Sequence, residues 1–562
     1  MTTTYAGAPE APARAGGGRW VAVPVAVAAL VAVPVLVVAV HVLVPAGEVW
    51  RHLVDTVLWR YVSNTLWLAV GVGVGTLVIG TGTAWLCSMC RFPGRGLFEW
   101  ALLLPLAVPT YAIAFTYAGL FEFAGPVQTG LREMFGWGRD DYWFPAPRSL
   151  GGAIVVMSLV LYPYVYLLAR AAFLGQSVCA LEIGRTLGRG PWRSFTDIAL
   201  PLARPALAGG VALALMEALG DFGTVQYYGV DTFTTGIYRT WFALGDVGAA
   251  AQLSAVLLLF VGAVIALEQW SRGQARFHHT SARYRPLPAY RLAGARGALA
   301  ALACLAPVAL GFAVPAAQLL AWTVQTWAES LDVRFLVLAR NSLLLAAGTA
   351  LLAVVVATAV AYAVRLGAGP VGRAAARAAG LGYAVPGSVI AVGVLVPFAW
   401  LDNSIDALAR DVLGVSTGLL LTGGVAALVF AYLVRFLAVA LNAVNAALAK
   451  VTPSMDAAAR TLGRSPGGVL WQVHVPIIRA GLLSAGLLAF VDVLKELPAT
   501  LIMRPFNFNT LAVRAWELAS DELLAQSASA ALAIVAVGVL PVILLSRAIA
   551  RARPGSAPPP VP

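Results

Sequence analysis

The chain alternates long apolar runs with short polar stretches that carry most of its arginines. A helix that crosses a bilayer needs about 20 mostly apolar residues. Runs of that length lie at 21–44, 62–87, 98–124, 150–175, 205–228, 249–268, 293–322, 341–364, 376–400, 417–443, 477–502 and 528–550. They predict an all-α membrane protein with about 12 spans. Several runs contain Gly and Pro, which membrane helices tolerate better than soluble ones. The glycines at 71, 73, 75, 80 and 82 predict close packing of the second span against a neighbour. The first span is too long for the apolar core of a signal peptide, so it reads as a retained helix. The ends, 1–18 and 552–562, are rich in Ala, Gly and Pro and read as disordered tails.

Composition narrows the class. Hydrophobic residues make up 60% of the 562 positions and charged residues only 11%, against about 25% charged in a soluble domain. So few charges cannot cover a soluble surface, which excludes a soluble enzyme, a secreted module, a disordered chain and a nucleic-acid binder. The net charge of +12 then reads as topology. With the N-terminus inside, Arg14 and Arg19, Arg91 and Arg95, Arg170, Arg185, Arg189, Arg193 and Arg204 all fall on the cytoplasmic side. So do Arg272 to Arg296, Arg365, Arg373, Arg377, Arg435 to Arg479, and the tail residues Arg547, Arg551 and Arg553. This distribution follows the positive-inside rule and predicts a multi-pass membrane protein with both termini in the cytoplasm. Four cysteines are too few for a disulfide framework. The Cys87/Cys90 pair lacks the further ligands that zinc needs. His278 and His279 lie in a linker without an acid–base partner set, so nothing marks an enzyme.

The chain repeats itself. Asn64-Thr65-Leu66 returns as Asn341-Ser342-Leu343, and Ala107-Val108-Pro109 as Ala384-Val385-Pro386, both 277 residues on. Thr186-Leu187-Gly188-Arg189 returns as Thr461-Leu462-Gly463-Arg464, and Pro201 as Pro476, both 275 residues on. Phe233, Thr235, Arg239, Trp241 and Asp246 match Phe508, Thr510, Arg514, Trp516 and Asp521 at the same offset. A constant offset over that length marks a duplication. Six spans return the chain to the side it started from. The halves, 19–285 and 286–551, are therefore expected to be two parallel six-helix repeats with a pathway between them.

The best-matched loops are cytoplasmic. One runs Leu181-Glu182-Ile183-Gly184-Arg185-Thr186-Leu187-Gly188 and then Ile198-Ala199-Leu200-Pro201. The other runs Asp456-Ala457-Ala458-Ala459-Arg460-Thr461-Leu462-Gly463 and then Val473-His474-Val475-Pro476. Alanines favour a short helix, the glycine a sharp exit, and the proline the first turn of the next helix. These loops resemble the Glu-Ala-Ala motif of permease subunits of binding-protein-dependent ABC importers (type I permease fold). The resemblance implies a helix that docks into a separate ATPase, and two loops imply two ATPase copies. It would assign coupling to Glu182, Gly188 and Arg189 in the first loop, and to Asp456, Ala457, Gly463 and Arg464 in the second. The first loop keeps the acid but not the alanines. The second has Ala457 at the acid position and Asp456 one residue earlier. No GxxxxGK[ST] stretch occurs. The chain is thus expected to bind no cofactor of its own, with ATP and Mg held by the partner ATPase.

Ionisable residues inside spans are costly and mark function by default. Glu217 and Asp221 in the fifth span match Asp492 and Glu496 in the eleventh, 275 residues on. Each pair is spaced i,i+4, so both acids of a pair share one helix face. Two-fold symmetry would bring all four towards the axis, with Tyr227 and Tyr228 further out. Carboxylate and phenolate oxygens suit a hard cation, so the four acids are candidate transient metal ligands on a substrate path. Lys495 leaves a second reading open, a buried ion-pair network with Arg239 and Arg514 as further partners. The stretches 216–246 and 491–522 resemble the ferric-iron branch of the ABC importer permeases. That resemblance implies ferric cargo delivered by a periplasmic ferric-binding protein. Thiamine, a polyamine or a phosphonate would keep the family and change the cargo. An ion-coupled secondary transporter, with the acids as proton or sodium sites, would change the class.

Overall fold

A computed structural model of the chain describes residues 18–44, 47–175, 190–272 and 290–551. Glu182, Gly188 and Arg189 of the first loop, the repeat boundary near 285 and both tails lie outside the described residues, the N-terminal tail all but Gly18. Among the described residues, the regular structure is helical apart from one pair of two-residue strands. Among the described residues, 11 helices are long and apolar enough to cross a membrane, or 12 if one bent pair counts as a span.

That bent pair corrects the third expected span, 98–124. Helical chain over Arg95–Ala107 turns by 92° into Thr110–Phe135. The bend falls at Val108-Pro109, where Val108 is extended because the ring that follows disfavours a helical conformation. The matched Val385-Pro386 interrupts the second repeat in the same way, between the turn Gly382–Ala384 and the helix Gly387–Leu413.

The duplication is visible down to single helical turns. Pro201 and Pro476 lie in the first turn of the α-helices Leu200–Gly220 and Val475–Leu494, as the sequence predicts. Each helix continues directly from a wide π turn, Phe195–Ala199 in the first repeat and Leu470–His474 in the second. Proline removes an N–H and crowds the carbonyl four residues back, and one extra residue in the turn relieves both defects. The same rule places the π turn Ala309–Ala313 ahead of Pro315.

The described residues form two compact units. The larger takes 34–346, Ala384–Ala431 and the chain from Phe490 onward. In it, the helix Leu58–Met89 lies along Leu150–Gly175. A Cβ at Gly71, Gly75 or Gly80 would fall under 3.0 Å from Ile154, Ser158 or Val165, so these glycines set the approach, whereas Gly82 faces open space. Tyr290-Arg291, at the end of the inter-repeat linker, pairs in parallel with Cys90-Arg91. The smaller unit gathers 18–33, Ala347–Tyr383 and Tyr432–Ala489. Its core closes where Gly382 meets the Val434 carbonyl and Gly481 meets Ala447, contacts that any side chain would block.

Candidate functional site

The membrane acids do not share helix faces. Leu200–Gly220 ends at Gly220, so Glu217 is helical while Asp221 is extended (ψ 138°). The second repeat breaks at the matched place, where Val475–Leu494 ends before Lys495 and Glu496. Beyond each break runs a short helix, Gly223–Tyr227 or Pro498–Met503. Asp221 accepts hydrogen bonds from the Thr224 and Val225 N–H groups at 2.9 and 3.3 Å and from the Thr110 and Thr224 hydroxyls at 2.5 and 3.1 Å. Glu496 accepts from the Ala499 N–H at 3.0 Å. Both carboxylates thus satisfy the first orphan donors of the helix that follows, a job worth about 1 kcal/mol apiece.

The other matched pair meets a lysine. Lys495 Nζ lies 2.9 Å from Asp492, and Glu217 acts on the same ammonium electrostatically. The position matching Lys495 in the first repeat is Gly220, so this cation has no symmetric copy. Among the described residues, no three His, Cys, Asp or Glu side chains come together as ligands for one metal ion. The four-carboxylate cluster expected from symmetry is therefore replaced by two capping acids and one ion-pair network. Arg239 is not part of that network, since it pairs with Asp231 at 2.6 Å. Tyr228 is buried and donates to the Ala114 carbonyl at 3.1 Å. Tyr227 lies under the Arg148 guanidinium, 4.4 Å from its ring centre.

The second loop forms the helix expected of it, Pro453–Thr461, and Gly463 leaves it in a left-handed conformation (φ 78°) that suits glycine. Ala457 and Arg464 are exposed. Asp456 points inward instead. Its Oδ2 lies 2.8 Å from Arg365 Nε and its Oδ1 2.5 Å from His474 Nε2. Arg365 also donates to the carbonyls of Leu448 (3.0 Å) and Val451 (2.7 Å). Tyr362 stacks edge-on against His474 at 5.2 Å and donates to the Pro466 carbonyl at 2.6 Å. Burial pushes the Asp456 carboxyl up, but Arg365 and His474 outweigh it and hold the group below its ordinary value.

A third cluster sits at the ends expected to face outward. Arg148 makes a two-pronged bridge to Glu522, with both contacts at 2.7 Å, and also contacts Glu122 and the Tyr227 hydroxyl. The bonds from Arg148 hold the Glu522 carboxyl below its ordinary value. Glu522 has φ 61°, a left-handed backbone rarely adopted by a long side chain, whereas the first repeat makes the comparable turn with Gly245.

Arg365, His474, Arg148 and Glu522 escaped the sequence reading. The first two had a usable signal. At the repeat offsets they stand where the first half has Ser88 and Ala199, and Asp456 stands where it has Leu181. Ionisable residues opposite uncharged ones at matched positions mark a device present in only one half.

Residues 76–270 match the family of binding-protein-dependent transport system inner membrane components. An Fe(3+)-transport system permease protein of Haemophilus influenzae is 28% identical over 527 residues, covering 92% of this chain and 96% of the relative. A molybdenum transport system permease protein of Azotobacter vinelandii is 30% identical over 165 residues, covering 29% of this chain and 70% of the relative. A sulfate transport system permease protein of Escherichia coli K12 is 28% identical over 181 residues, covering 32% and 62%.

Proposed function

This chain belongs to the family of binding-protein-dependent transport system inner membrane components, and on that premise we propose that it admits ferric iron to the cytoplasm. It is a multi-pass inner-membrane permease and has no catalytic role of its own. Its family works with a substrate-binding protein and a separate ATPase. Here we propose two ATPase copies, one at each cytoplasmic loop, and a periplasmic ferric-binding protein at the opposite face.

One observation carries the cargo. The iron-transport relative aligns across both repeats of this chain, whereas the molybdenum and sulfate relatives each align over a third of it or less. We place the route beside Glu217, Asp221, Asp492, Glu496, Tyr227 and Tyr228. With the acids already capping helices or paired with Lys495, iron would meet weak, transient oxygen ligands rather than a cage, and weak successive sites favour release. The loop residues Glu182, Gly188, Arg189, Asp456, Ala457, Gly463 and Arg464 would face or support the ATPases.

Uptake of radioactive iron by cells with and without the gene tests the cargo. Loss of iron uptake on deletion supports it. Unchanged iron uptake with lost molybdenum or sulfate uptake would replace ferric ion by a cargo named for one of the shorter relatives.

A further inference from the structure

The second loop helix is tied to the membrane helices by a device that the first half lacks. Arg365 ends the helix Val333–Arg365. Its three nitrogens reach the end of the helix Val425–Leu448, the turn at Val451 and the carboxylate of Asp456 on Pro453–Thr461. His474 closes the π turn before the helix Val475–Leu494 and holds the other oxygen of the same carboxylate. Four segments therefore converge on one carboxylate–guanidinium–imidazole set. His474 is fully buried, and Arg365 and Asp456 keep only 19% and 16% of their side-chain surface exposed. Such a set is weakly screened and directional, so a push on the loop helix reaches three spans without slack. The matched residues in the first half, Ser88, Leu181 and Ala199, supply no guanidinium, carboxylate or imidazole, so they cannot form this set.

We propose that Arg365, Asp456 and His474 are positioning residues that couple the second docking helix to the membrane spans, so that the two docking loops carry unequal loads. This rests on the importer reading above. In this arrangement Ala457 and its exposed neighbours face the ATPase, while Asp456 faces inward and fixes the angle of the helix.

The test is the triple variant R365S/D456L/H474A, which installs the first half's own residues and leaves no unpaired charge. It is compared with wild type in proteoliposomes with ATPase and binding protein, alongside R365K. We expect the ATPase to co-purify at wild-type stoichiometry. We also expect amide exchange in 453–461 to speed up at least tenfold, and transport per ATP hydrolysed to fall at least fivefold. R365K, which keeps the charge but not the fork, should recover part of the loss. Unchanged exchange together with unchanged transport per ATP overturns the proposal. So does loss of ATPase binding in step with transport, because that would make the three residues part of the docking surface. The exchange and ATP-hydrolysis measurements do not depend on the cargo, so a failure of the ferric assignment would show separately.

Discussion

The two halves of this chain place different chemistry at matched positions near their loops. In the second, the elements around the loop helix are joined by Arg365, Asp456 and His474. In the first, the described part of the matched region is joined by aromatic rings, with an ion pair to Glu99 (2.8 Å) from Arg170, which lies on the same helix as Phe173. Trp85 packs edge-on against Phe173 at 5.6 Å and contacts Phe195 at 4.9 Å and Tyr290 at 6.3 Å. Trp85 stands at the position of Tyr362, and Phe195 begins the π turn that His474 ends in the other half. Ring packing is broad and tolerates sliding, whereas a bonded carboxylate tolerates little. The duplicated backbone was kept, and the side-chain chemistry at these matched positions differs.

This contrast can be broken by experiment. The largest effect is expected from Arg365→Ala, which leaves a mostly buried carboxylate with one partner and should cost about 3 kcal/mol. Thermal unfolding in detergent reads it. A loss no greater than that of Ser88→Ala at the matched site would show that the ionic seat bears no load. Trp85→Ala should follow at about 2–3 kcal/mol, at or below the usual range for a large aromatic because the ring is only partly buried. It should leave transport per ATP closer to wild type than Arg365→Ala does. Acid should then separate the halves. The Asp456 carboxyl is held below its ordinary value, so its stabilisation is present above that value and is lost as pH falls through the lowered one. Proteolysis at 453–461 should accordingly set in only below about pH 4. The same drop should leave the aromatic seat intact, and parallel loosening around Trp85 would refute the distinction. The smallest effect concerns Glu522. Replacement by Gly should be nearly neutral for stability, because release of left-handed strain of about 1–2 kcal/mol offsets the lost ion pair. Glu522→Ala should be measurably worse than Glu522→Gly.

The sequence revealed much of the fold because spans, repeat and loop helix each leave a periodic or compositional trace. The offset between Pro201 and Pro476 located a real structural match, although the π turn ahead of each proline left no trace. The breaks at Asp221 and Glu496 stayed hidden for a different reason. Apolar residues continue on both sides of them, and a carboxylate that caps a buried helix looks, in a hydropathy pattern, like one that faces a cavity. The bridge from Arg148 to Glu522 joins residues 374 positions apart and follows no local rule. The clamp around Asp456 was legible in principle. Finding it required asking where the repeats differ, not where they agree.

The left-handed backbone at Glu522 also bears on how this protein would respond to selection in the laboratory. A screen for heat resistance would accept glycine there and gain nothing visible by keeping the acid. A screen for transport would see only the contact between the two repeats. Position 522 is thus a place where the two kinds of screen should return different answers, and their disagreement would itself identify the bridge as working machinery.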